Sequence, residues 1–111
     1  MNLSDAIARG ATQRPQGRTQ YVVADGHTLR SCTFGAAYEG FFGHLPPDPA
    51  DSEAIYRDLA AVFGDVLERE VADPTINCAA RFPRGSVIVV LNDGKRWSRE
   101  QIAAWLRSIG E

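Results

Sequence analysis

The closing segment, Trp97-Ser-Arg-Glu-Gln-Ile-Ala-Ala-Trp-Leu-Arg-Ser-Ile-Gly110, constrains the fold more than any other part of the chain. Ser98 followed three residues later by Gln101 has the spacing of a capping box, in which each side chain satisfies the other residue's backbone N–H. Trp97 and Ile102 stand where a hydrophobic staple fixes the start of a helix. Ile102, Trp105, Leu106 and Ile109 recur at helical spacing, and Gly110 falls where a glycine commonly ends one. The spacing therefore predicts a helix over about 99–109, docked by two tryptophans as core anchors.

The rest of the chain supplies elements for this helix to pack against. Leu3, Ile7, Ala8 and Ala11 form one side of a short helix that ends before Pro15, because the residue preceding proline is pushed out of the helical region. Two β-prone runs, 21–24 and 28–32, flank Asp25-Gly26, a strong two-residue hairpin signal. A helix over about 33–42 follows, with Ser31 as its cap and Phe34, Ala37, Tyr38 and Phe41 as its stripe. Ala36, Gly40 and Gly43 leave a second side almost bare, which implies close approach of another helix or of a second copy.

The prolines of 44–50 make a stiff loop, and Asp48-Pro49 reads as the cap and first residue of a helix reaching about Arg69. Its stripe is Ile55, Leu59, Val62, Phe63, Val66 and Leu67. The stretch 71–85 reads as irregular, and the β-branched 86–91 run as a strand buried on both faces. The expectation is one α+β domain, 1–111, with about four helices, a β-hairpin and one further short strand.

Charge bears on partners. The chain's net charge is −2, yet residues 39–73 carry nine acids against two arginines, a net of −7 that the remainder opposes with +5. An acidic middle of this kind faces solvent or steers a basic partner. Nucleic-acid binding is not expected, since no stripe of arginine and lysine builds the positive field that phosphates need. No apolar run approaches 18 residues and the first residues lack a signal-peptide pattern, so a cytoplasmic location is expected.

Three blocks carry a resemblance: Leu3-Ser-Asp-Ala-Ile7, Ser31-Cys-Thr-Phe-Gly-Ala-Ala-Tyr-Glu-Gly40, and Leu91-Asn-Asp with Trp97-Ser-Arg-Glu-Gln-Ile-Ala-Ala-Trp-Leu106. In this order they resemble a group of short, uncharacterised proteins of bacteria and their phages. The resemblance implies a stand-alone domain and brings no activity with it. Some similar sequences have a Cys-x-x-Cys between the second and third blocks, where this chain has Cys78 alone.

Candidate chemistry is sparse. Cys32, Cys78, His27 and His44 are enough ligands for a structural zinc site, but their spacing matches no zinc pattern. Cys32 near a helix start, with His27 or His44 as base, is the one candidate nucleophile. Neither comes with a supporting motif, so no catalytic residue, metal or cofactor is expected. Asn92-Asp93-Gly94 reads as turn chemistry. The closing helix resembles the first half of a helix-turn-helix, but the helix that would enter the groove has no counterpart before Glu111. The function expected is a small interaction module with a protein partner or self-association, without a membrane. The alternative is a metal protein or enzyme centred on Cys32.

Overall fold

The computed structural model describes residues 1–111. It is an α+β domain of five helices and two separate two-stranded antiparallel sheets, more of each than the sequence pattern predicts. In chain order these are α1 (Leu3–Ala11), β1 (Val22–Asp25), β2 (Thr28–Ser31), α2 (Thr33–Phe42) and α3 (Ser52–Phe63). A 3₁₀ turn (Gly64–Leu67), β3 (Glu70–Ala72), β4 (Arg81–Pro83), α4 (Arg84–Val89), a π-helical turn (Val90–Gly94) and α5 (Arg99–Ser108) follow. No helix is long and apolar enough to cross a membrane.

The closing helix forms as its sequence dictates. Ser98 Oγ accepts the Gln101 N–H at 3.0 Å, and Gln101 Oε1 accepts the Ser98 N–H at 2.8 Å. Ile102, Ala103 and Leu106 are fully buried, whereas Trp97 and Trp105 are half-buried against the core and Ile109 is exposed. Trp105 is thus a flank of the core rather than its anchor. Trp105→Ala should lower the unfolding free energy by about 2 kcal/mol, below the range of about 3–5 expected when a wholly buried tryptophan is removed. A denaturant midpoint that does not move would make Trp105 a surface residue.

The small side of α2 lies on α1, backbone against backbone. A Cβ on Gly40 would stand 1.9 Å from the Ala6 carbonyl oxygen, and one on Gly10 would stand 1.7 Å from that of Ala36. The bare face is therefore covered within the chain, and no second copy is needed to explain it. Gly43 is not part of that face: it ends α2 in the left-handed region at φ 81°. Phe41, expected in the core, is partly exposed and packs edge-on against Phe63 at 5.5 Å.

Three further expectations fail for identifiable reasons. Residues 86–91 are helical, not a strand. Val87, Ile88 and Leu91 are buried while Val89 and Val90 are exposed, a helical spacing within an unbroken apolar run. The β-branched penalty of a few tenths of a kcal/mol per residue is small beside that burial. The stretch read as irregular holds β3 and β4, paired with Val71 opposite Phe82. Its prolines are tolerated because Pro83 ends a strand and Pro74 lies in the connection. α3 starts three residues later than expected, because Asp51 caps it by accepting the Ala54 N–H while Asp48 closes a turn on the Ala50 N–H. It stops at Phe63, leaving Ile55, Leu59, Phe63 and Leu67 buried and Val62 exposed.

Candidate functional site

The first hairpin sets up the site. Its register pairs Asp25 with Thr28, so the turn residues are Gly26 and His27, one position beyond the expected Asp-Gly. Gly26 has φ 63° at the first turn position, as a type II′ turn requires. The pairs Val22–Ser31 and Ala24–Leu29 then share one face, and Val22, Ala24 and Leu29 line a cleft of about 680 Å³. Ile88 and Val89 of α4 and the Pro49-Ala50 loop form other parts of its wall. Leu29 and Val89 are 41% and 45% exposed there, and Asp93 is its one charged lining residue.

The polar end of the cleft is built on Asn92, read from sequence as a turn residue. The π-helical turn carries it inward to 2% exposure. Its Oδ1 accepts from the Thr33 N–H at 3.1 Å, the Thr33 hydroxyl at 2.7 Å and Gln16 Nε2 at 2.9 Å. Its Nδ2 donates to the Gly17 carbonyl at 3.2 Å and to Asp93 Oδ1 at 2.7 Å. Asn92 thereby takes the first N–H of α2 from a distant part of the chain, and Ser31, expected to cap the helix, does not. Asp93 Oδ1 also accepts the N–H of Thr19, a cleft residue held at φ 70°. Left-handed backbone at a non-glycine residue and a π turn are both irregularities that concentrate at functional sites.

Arg99 secures the same junction. It is 4% exposed and donates to the carbonyls of Arg14 (2.7 Å), Ala11 (3.3 Å) and Ser31 (3.3 Å) and to the Ser31 hydroxyl (2.9 Å). Its Nε has no partner. Burial lowers its pKa, opposed by the charges of Glu100 and others. Sequence reasoning missed Arg99, although one signal was present. A cation at the first position of a helix opposes the macrodipole, so its guanidinium gains by bonding elsewhere.

The two cysteines and two histidines singled out as possible ligands are not brought together. Cys32 lies at the N-terminus of α2 and is half-buried in the cleft wall. His27 is exposed at the hairpin turn, and His44 is exposed beyond the far end of α2, its ring 6.1 Å from that of Tyr38. The ten residues of α2 alone set Cys32 and His44 about 15 Å apart. Cys78 is exposed in the β3–β4 connection, its sulfur accepting the Ala80 N–H at 3.2 Å. No group of three or more His, Cys, Asp or Glu side chains could hold a metal ion.

Burial pushes the Cys32 thiol up, more than the Gly35 and Phe34 amides pull it down. The protonated thiol is a poor nucleophile. At about pH 8, near the ordinary thiol range, iodoacetamide should modify Cys78 faster than Cys32, as read by mass spectrometry of the two tryptic peptides. The reverse order would mean that the helix terminus favours the Cys32 thiolate after all.

The acidic segment is offset from outside itself at one position: Glu39 is buried in a two-bond pair with Arg14 (2.7 and 2.7 Å). Asp58 accepts from the Tyr38 hydroxyl at 3.0 Å and Asp73 bonds Thr75, both neutral donors. Asp48 and Asp51, flanking the Pro49-Ala50 wall, stay exposed and outside any ion pair. No family model, curated protein or solved structure matches the chain.

Proposed function

We propose that the chain is a small cytoplasmic protein-interaction module, of bacterial or phage origin, that takes apolar side chains of a partner protein into the cleft between the first hairpin and α4. The observation that carries this reading is the cleft itself: about 680 Å³, mostly apolar, and rimmed by Leu29 and Val89. Exposed apolar residues around a concavity are the usual marks of a binding surface. The polar network behind it, from Gln16 and Thr33 to Asn92 and Arg99, fixes the walls rather than offering reactive groups. The enzyme reading centred on Cys32 gains no base from this geometry, since the sulfur has neither histidine beside it.

The test is selection of a random linear twelve-residue peptide display library on the protein, with Val89→Asp as the counter-target. The reading expects enriched peptides sharing apolar anchors, and at least about a tenfold loss of their affinity for the variant, as a charge enters an apolar contact. Failure to enrich any peptide, or enriched peptides indifferent to Val89→Asp, would overturn it. If instead the cleft takes a small molecule, free indole would compete no peptide but would shift the Leu29 and Val89 resonances.

A further inference from the structure

The hydrogen-bonding pattern of the first hairpin gives the form of the partner. In a two-residue hairpin the pair next to the turn exchanges both backbone bonds, and bonded and non-bonded pairs then alternate. Asp25–Thr28 and Val23–Arg30 are therefore bonded pairs, while Ala24–Leu29 and Val22–Ser31 are not. The flanking bonds fit this alternation. The Cys32 N–H reaches the Tyr21 carbonyl at 3.1 Å across the hairpin, whereas the Ser31 N–H and carbonyl point outward to Pro15 (3.0 Å) and Gly17 (2.8 Å).

The outer edge of β2 is thus partly covered by residues 15–17. The outer edge of β1 receives no such bond and is open at Ala24, which is exposed, whereas Val22 is 7% exposed. The N–H and carbonyl groups of Val22 and Ala24 point away from β2, and no backbone bond from outside the hairpin reaches Val22–Asp25. An open strand edge is a template for one more strand. The side chains of Val22 and Ala24 face the cleft, so a strand added here would send every second side chain to the same face.

We infer that the partner binds as an extended peptide strand added to the free edge of β1, with alternate apolar side chains in the cleft and a basic residue toward Asp48 and Asp51. This rests on the cleft being the binding site, and adds the backbone conformation and charge of what fills it. Main-chain bonds to the exposed N–H and carbonyl of Ala24 hold the strand, and the cleft selects its side chains, the division of labour usual in strand addition. The charge preference follows from a lining whose single charged residue is Asp93, with Asp48 and Asp51, exposed and in no ion pair, on either side of its Pro49-Ala50 wall. Arg18, outside the lining, is held by its Nε donating to the Asn92 carbonyl at 3.1 Å.

Ala24→Pro is the direct test. Proline removes the one outward donor at that position and leaves both bonded pairs of the hairpin intact, a placement that edge strands tolerate. The peptide enriched on the native protein should lose at least about tenfold in affinity for Ala24→Pro, as a lost backbone hydrogen bond implies. Two further probes do not depend on how the variant folds. Backbone N-methylation of alternate peptide residues should abolish binding in one alternation and spare it in the other. Bound peptide should also slow amide hydrogen exchange at the exposed Ala24.

Sensitivity to Val89→Asp with indifference to Ala24→Pro, to both methylation patterns and in Ala24 exchange would keep the cleft and overturn the strand. Absence of any enriched peptide would remove both. A dimer in sedimentation velocity with Ala24 already protected would replace the peptide by a second copy and overturn the inference.

Discussion

Gly40→Ala should destabilise the domain by about 3 kcal/mol or more, at the upper end of what overpacking costs. The opposite sign would be expected of an exposed helix, where alanine gains up to ~1 kcal/mol over glycine. Here the added methyl would meet the Ala6 carbonyl oxygen at 1.9 Å, and the obstacle is backbone, which cannot rotate aside as a side chain can. Gly10→Ala meets Ala36 in the same way from the other helix. The two sites oppose each other across one contact, so their effects should not add: once the helices separate for the first methyl, the second has room. Gly94→Ala is the control, since its Cβ would find only Val90 Cγ1 at 3.9 Å. Urea unfolding of the native chain, the three single variants and the Gly10/Gly40 double variant gives the answer. A Gly40→Ala protein as stable as the native one would mean that α1 and α2 do not approach this closely.

Asn92→Ala should cost about 3 kcal/mol, for a different reason. No large volume is lost, but the Thr33 N–H, buried at 1% exposure, loses its acceptor and the Gly17 carbonyl loses its donor. Each buried polar group left without a partner costs ~1–3 kcal/mol. Asn92→Asp separates bonding from packing. It keeps the acceptor toward Thr33 but loses the donor to Gly17, and it sets a second carboxylate against Asp93. The expectation is that burial and that neighbour outweigh the Thr33 and Gln16 donors, so that the new carboxyl's pKa in the folded state lies above its unfolded value. The variant's stability is therefore greatest in acid and falls as pH rises from the unfolded pKa through the folded one. The deficit of Asn92→Asp against the native chain, read from melting curves, should therefore be smaller at about pH 4 than at about pH 7. An equal deficit at both would show that position 92 is open to water.

These two positions show what the amino-acid sequence reveals and what it conceals. The closing helix was legible because every determinant is local: Ser98, Gln101 and the Ile102–Leu106 spacing lie within one another's reach. The close face of α2 was legible as a face, since small residues recur on one side, but its occupant was not, because α1 lies some thirty residues upstream. Residues 86–91 misled because an unbroken apolar run has no period, and only packing reveals that Val89 and Val90 face outward.

The site was the least legible part. Asn92 joins residues 16, 17 and 33 across more than fifty positions, and nothing near it in the chain distinguishes it from a turn asparagine. The cysteines and histidines drew attention by chemical type, yet the fold spreads them over the cleft wall, a hairpin turn, a helix end and an exposed loop. The free edge of β1 depends on register, and the turn lies one residue beyond Asp25-Gly26, which moves the partner of Ala24 by two, from His27 to Leu29.

The most direct measurement is a ¹⁵N-resolved titration of the protein with the enriched library peptide. The cleft reading predicts that the largest shifts fall on Thr19–Ala24, Leu29, Thr33 and Val89–Asp93, the segments that meet at the cleft. Shifts concentrated instead on Phe41 and Val62, or on Ile76 and Phe82, which are exposed apolar residues outside the cleft lining, would contradict it.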